Sequence, residues 1–334
     1  MKLDNDQINY LNIGLMLVSG VLAFVIPFEL FLFSYAVLGP LHYLTEISWL
    51  HDRGYFVESK RDKRIKFAWL LLVFATLAVM LYGLYREKYL RQDLPPVYEI
   101  GMFYLVFFTA LLMMFVRKIS IWIALVVLVL IALFVFSDSK YYALTAFFLI
   151  TIIHVFVFTA AFILYGSLKS RSLSGILSLA VFIACVVSFF VYRPNQTLLT
   201  TGAFVKNSYG SFSTLNAELI KFFGLGAGTK LSEIYDSAAG LVVMRLIAFA
   251  YTYHYLNWFS KTSIIKWHEI STARTVGVIG LWIVSLLVYG YDYQLGMSLL
   301  YFLSVLHVML EFPLNHQTFA GIGRELGGLV TKRA

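Results

Sequence analysis

The chain has 334 residues, of which 60% are hydrophobic and 13% charged. An ordinary soluble domain carries roughly 25% charged residues, so no soluble domain of any size can be cut from this sequence. The formal charge of +8 would suit nucleic acid in a soluble protein. In a chain this apolar it reports basic cytoplasmic loops, and no nucleic-acid partner is expected. One cysteine, Cys185, lies in an apolar run. That excludes an internal disulfide and a cysteine-rich metal site, and Cys185 reads as a small apolar residue.

A helix needs about 20 apolar residues to cross a bilayer. The expected architecture is all-α: a polytopic transmembrane bundle of about ten helices, forming a single integral membrane domain over 1–334. The polar, acidic start, MKLDNDQINYLN, lacks the basic region and cleavage site of a signal peptide. Spans are expected at 10–26 and 28–50, separated only by Pro27 as a tight hairpin or a kink. Further spans follow at 67–85, 101–116, 119–136, 141–166 and 173–192. The stretch 193–236 is expected outside the membrane or flat upon it. Within it, Thr214 to Phe223 has Thr214, Glu218 and Lys221 on one side and Leu215, Leu219 and Phe222 on the other. The run Gly224-Leu-Gly-Ala-Gly reads as a flexible turn, since no strand precedes it. Spans at 237–259, 275–291 and 295–312 complete the set.

With the N-terminus in the cytoplasm, 17 lysines and arginines fall on the cytoplasmic side and 8 outside. This bias predicts both termini inside and an even number of spans. A bacterial inner membrane is the expected location.

Four of the seven histidines fall within expected helices: His42, His154, His254 and His307. All four helices run from outside to inside, and each histidine lies in the cytoplasmic half. Imidazole is the commonest protein ligand for iron, copper and zinc, and a polar group in lipid needs a partner. Four imidazoles at one depth therefore suggest one metal site, although any one of them alone reads more readily as a packing residue. If only three converge, His307 is the expected outsider. Glu46 and Glu311 each follow a histidine by four residues and share its helix face. Each could bind metal or orient its histidine, or could instead sit at a helix end in headgroup water. His51, with Asp52, opens a charged loop. His268 and His316 are expected at the interface.

Arg245 lies nine residues before His254, about 13 Å nearer the outer face. It could bind an anionic group, pair with Asp236 or Asp292, or snorkel to the surface. Tyr251, Tyr255 and Trp258 surround His254 in the sequence. They suit a long apolar substrate and suit ordinary packing equally well.

Four segments come in an order that resembles a known family. They are Gly39-Pro-Leu-His42-Tyr-Leu-Thr-Glu46, Ile152-Ile-His154-Val-Phe, Tyr253-His254-Tyr-Leu-Asn-Trp258 and Val305-Leu-His307-Val-Met-Leu-Glu311. They look like the histidine segments of the Brp/Blh family of membrane β-carotene 15,15'-dioxygenases, which hold iron with histidines and split β-carotene with dioxygen. The resemblance covers about 40 residues. It matches His42, His154 and His254 to ligand positions and His307 to the family's late histidine. This chain has Trp258 where the family has a second histidine in the third segment. Phe158 and Thr159 stand where the family has an acid, and the gap from His42 to His154 is longer.

The resemblance implies a non-haem iron oxygenase acting on a carotenoid, another isoprenoid or a lipid drawn from the bilayer. Glu46, Glu311, His51 and Trp258 would then be second-layer or additional ligands, and Arg245, Tyr251 and Tyr255 would line the substrate. A b-type haem protein, a zinc site, and a metal-free transporter or structural subunit remain as alternatives. Protein partners are not specified.

Overall fold

In the computed structural model the described residues are 4–57, 63–137, 140–194, 197–199, 201–226, 233–261 and 270–331, and among them there is no strand. Nine of their helices are long and apolar enough to cross a membrane, and a shorter apolar helix joins them. The protein is an all-α polytopic membrane protein.

The helices, in chain order, are α1 (Asn5–Val25), α2 (Pro27–Asp52), α3 (Lys63–Leu90), α4 (Pro96–Leu112), α5 (Ile119–Phe136), α6 (Leu144–Ser170), α7 (Leu173–Val191), α8 (Ala203–Tyr209), α9 (Ser213–Phe222), α10 (Ala238–Ser260), α11 (Thr272–Tyr291) and α12 (Tyr293–Thr331). Local chemistry sets several of their ends. Asp4 caps α1 through a reciprocal pair, its carboxylate accepting from Gln7 N and its own N–H donating to the Gln7 side chain. Pro27 opens α2 at the position where a missing N–H costs nothing. The chain therefore breaks at Ile26, and α1 and α2 are two helices.

Two wide turns of π-helix interrupt the spans that carry histidines. The first, Ser34–Leu38, lies immediately before Gly39-Pro40. Proline has no N–H to give and its ring crowds the carbonyl four residues back. In the π turn the N–H of Gly39 instead reaches Ser34 O, which opens the helix where Pro40 needs room. The second, Leu149–Phe158, carries His154. It contains no proline, and nothing in its sequence explains its width.

The chain divides into two compact units. The first comprises residues 1–45 and 155–300. Its centre is α10, almost every residue of which is buried. α1, the first part of α2, α7 and α9 pack around α10, and α6 runs against α7 beyond Thr159. The second unit comprises residues 46–154 and 301–334. Within it α4 packs between α3 and α5, and the start of α6 packs on α4. α5 buries only Trp122 of its 18 residues, as a helix facing lipid on most sides would.

The stretch after α7 forms two short helices. The ten residues of α9 are too few to span a bilayer. Leu215 and Leu219 are buried against α10, while Glu218 and Lys221 pair at 2.6 Å outside. Phe222, expected on the apolar side, instead points outward at 64% exposure. Gly224 and Gly226 both have positive φ, which glycine adopts without strain, so the chain turns over 224–226; the rest of that run lies outside the described residues. The last helix departs most from expectation. It runs to Thr331 with Pro313 inside it, well past residue 312.

Candidate metal centre

In the first unit, His42 comes from α2 and His254 from α10. Their Nε2 atoms lie 3.1 Å apart and their rings meet edge to face. His42 is 1% and His254 6% exposed. On the far side of the His254 ring, Nδ1 lies 2.8 Å from the Thr159 hydroxyl. A proton on Nδ1 gives that hydroxyl a hydrogen bond and leaves Nε2 with its lone pair.

The wall beside this pair is aromatic. Tyr255 and Trp258 pack on the His42 ring at centroid distances of 5.1 and 5.5 Å. The Trp258 indole N–H donates to Thr45 Oγ1 at 3.0 Å, and Thr45 in turn donates to the carbonyls of Leu41 and His42. An indole has no acceptor nitrogen for a metal. Trp258 therefore fixes the backbone around His42 and is not a ligand.

The second unit repeats the arrangement. His154 of α6 and His307 of α12 hold their Nε2 atoms 3.1 Å apart, again edge to face. Glu311 Oε2 stands 3.3 Å from His154 Nδ1 and accepts a hydrogen bond from Asn315 Nδ2 at 3.2 Å. His307, Glu311 and Asn315 recur every four residues, so α12 presents all three on one face. Glu311 is 3% exposed. It is not a helix-end group, because α12 continues past Pro313. His307, the outsider expected had only three histidines converged, is the partner of His154.

Glu46 is buried one turn after His42 on α2. His51 is exposed at the end of that helix, with Nδ1 toward the Tyr55 hydroxyl at 3.3 Å, and takes no part in either pair. His316 is buried within α12, and its Nε2 lies 3.0 Å from Phe107 O. Arg245 is fully buried, with its guanidinium 5.5 Å from the centre of the Phe24 ring. Tyr251 packs on Phe31, Tyr35 and Tyr255. His268 lies outside the described residues.

Thr159 and Asn315 were not foreseen. For Thr159 a signal existed, since it stands in the segment where the resembled family has an acid. Asn315 could have been found by continuing the four-residue spacing past Pro313.

Buried neutral imidazoles are good donors for a transition metal, and His42, His254 and His307 each offer a nitrogen that could hold one. Two nitrogens bound to one ion at 2.0–2.1 Å are about 2.8–3.4 Å apart for bond angles between square and tetrahedral. Both pairs fall in that window. Searches of protein-family models, curated proteins and solved structures find no match to this chain.

Proposed function

We propose that this integral membrane protein is a metalloenzyme in which buried histidine pairs, His42 with His254 in the first unit and His154 with His307 in the second, are the metal ligands, iron foremost. We read it as an oxygenase or oxidoreductase acting on a carotenoid, another isoprenoid or a lipid. The observation that carries this reading is the repeated pair. Twice, two buried imidazoles face each other through Nε2 at 3.1 Å while one of them has its Nδ1 set against an oxygen, from Thr159 or Glu311. Oxygen partners on the outer ring nitrogen fix tautomer and orientation in histidine metal sites. Packing alone gives no reason for the pattern to occur twice.

When bound, iron would supply the dioxygen chemistry that side chains lack. The chain's own residues would do the rest. Thr159 and Glu311 hold the imidazoles in the ligating tautomer, Trp258 and Tyr255 close the wall beside His42, and the buried setting excludes water. A pocket of about 640 Å³ in the second unit supports an apolar substrate. Its size lies within the range of small-molecule sites, roughly 300–1,000 Å³. Phe107, Phe136, Leu149 and Ile153 line it, and its polar feature is the contact between the Tyr104 and Thr145 hydroxyls. Ile153 is the residue before His154.

The haem alternative meets a geometric objection within each pair. The facing Nε2 atoms of each pair, 3.1 Å apart, leave no room for a macrocycle between their rings. The test is elemental analysis together with a visible spectrum of the purified protein. Iron without a Soret band supports the proposal, a Soret band supports haem b, and zinc alone removes the redox chemistry. No metal after reconstitution leaves the histidines as packing residues.

A further inference from the structure

The His42–His254 pair does not end in an inert wall. It abuts a run of tyrosines that continues through the first unit to a half-exposed position. Tyr255 touches the His42 ring and shares a 2.7 Å hydroxyl contact with Tyr43. Tyr251 follows at 6.2 Å between ring centres, and Tyr35 lies 6.0 Å beyond it. Phe31 bridges Tyr251 to Tyr209 with edge contacts of 5.2 and 5.6 Å. Tyr209 meets Tyr235 at 6.2 Å, and Tyr235 is partly exposed with its hydroxyl donating to Lys206 O.

Packing alone does not call for this chemistry. Burying a phenol hydroxyl costs more than burying a phenyl edge unless a partner is found, and this chain has 30 phenylalanines to draw on. What tyrosine adds is an accessible one-electron oxidation. Tyrosines in contact, or separated by one ring as Tyr251 and Tyr209 are by Phe31, let the resulting hole move while each residue stays in place.

We infer that Tyr255, Tyr251, Tyr35, Tyr209 and Tyr235 form a one-electron path that drains oxidising equivalents from the His42–His254 pair to the surface. The inference rests on reading that pair as part of a redox metal site. Its oxidant is a peroxide and its terminal reductant a small aqueous donor such as ascorbate. One hydrogen peroxide takes two electrons and two protons from two tyrosines. Its O–O bond breaks, and two waters and two neutral tyrosyl radicals result. The phenolic proton of Tyr255 leaves through its hydroxyl contact with Tyr43 and ends in that water. Ascorbate then returns one electron and one proton to each radical, in step with transfer along the run. The path spares the ligands when the metal is oxidised without substrate.

The experiment uses full-length protein in detergent, reconstituted with ferrous iron, with iron content measured on every sample. Peroxide is added, the sample is freeze-quenched for electron paramagnetic resonance, and oxidation of His42 and His254 is followed by mass spectrometry. Wild type should give a tyrosyl signal and little histidine oxidation. Tyr209→Phe keeps the ring packing and should hold wild-type iron. It should lose spin-trap labelling at Tyr235 and show several-fold more oxidised His42 and His254. Tyr235→Phe, at the partly exposed end, should give the same several-fold rise in oxidised His42 and His254 if Tyr209→Phe folds poorly. Variants with wild-type iron and unchanged radical yield and histidine damage would overturn the path alone. A wild-type protein that binds no iron would overturn the metal reading and the path with it.

Discussion

The Thr159 hydroxyl and His254 Nδ1 lie 2.8 Å apart although 95 residues separate them in the chain. Thr159 belongs to α6, one turn past His154, and it orients a histidine of α10. With the proton on Nδ1 the hydroxyl accepts it, and Nε2 turns its lone pair toward His42. Thr159→Val keeps the shape and removes the oxygen. It should weaken metal binding about 10–100-fold, the usual cost of losing such a support, as measured by competition with a chelator. Unchanged affinity would mean that Thr159 does not set the tautomer.

Glu311 plays the matching part in the other pair. A carboxylate facing His154 Nδ1 favours the proton on that nitrogen. Glu311→Ala removes it and leaves Asn315 without an acceptor it now uses. Metal affinity should fall by about 10–100-fold, with Glu311→Gln retaining part of it through the amide oxygen. If Glu311→Gln and Glu311→Ala bind metal equally well, the carboxylate is not a support for His154.

Pro40 should matter through geometry rather than contact. It stabilises the wide turn at Ser34–Leu38 two residues ahead of His42. Pro40→Ala allows the turn to close to a regular helix, which rotates the residues on one side by about 100° relative to the other. His42 would then turn from His254. The variant should insert normally and lose most of its metal. Full metal content would show that the π turn is held by packing instead.

Orientation is testable without chemistry. The bias of 17 basic residues to 8 predicts cytoplasmic termini. A reporter fused after Ala334 should behave as cytoplasmic. Activity only outside would invert the arrangement and place the histidines toward the opposite face.

The spans were legible because lipid demands one thing of them, a long apolar run. Ile119–Phe136 matches its expected bounds for that reason. Past residue 312 the rule failed. Pro313 reads as a stop, yet a proline costs one hydrogen bond and some crowding, which α12 absorbs while burying Asn315 and His316. The four histidines were visible as a set, since polar groups in apolar runs are conspicuous. Their pairing was not. His42 meets His254, and His154 meets His307, through tertiary contacts that local spacing does not encode. The π turns that aim two of these helices were invisible for a similar reason: only Pro40 marks one of them, and nothing marks the other.

The most direct measurement is the metal stoichiometry of four single variants, His42→Ala, His154→Ala, His254→Ala and His307→Ala, beside the wild type. The wild-type protein should carry iron without a Soret band, and loss of either histidine of a pair should remove the iron that pair holds while the protein still inserts. A wild-type chain free of metal after reconstitution, or variants that all retain the full complement, would contradict the account.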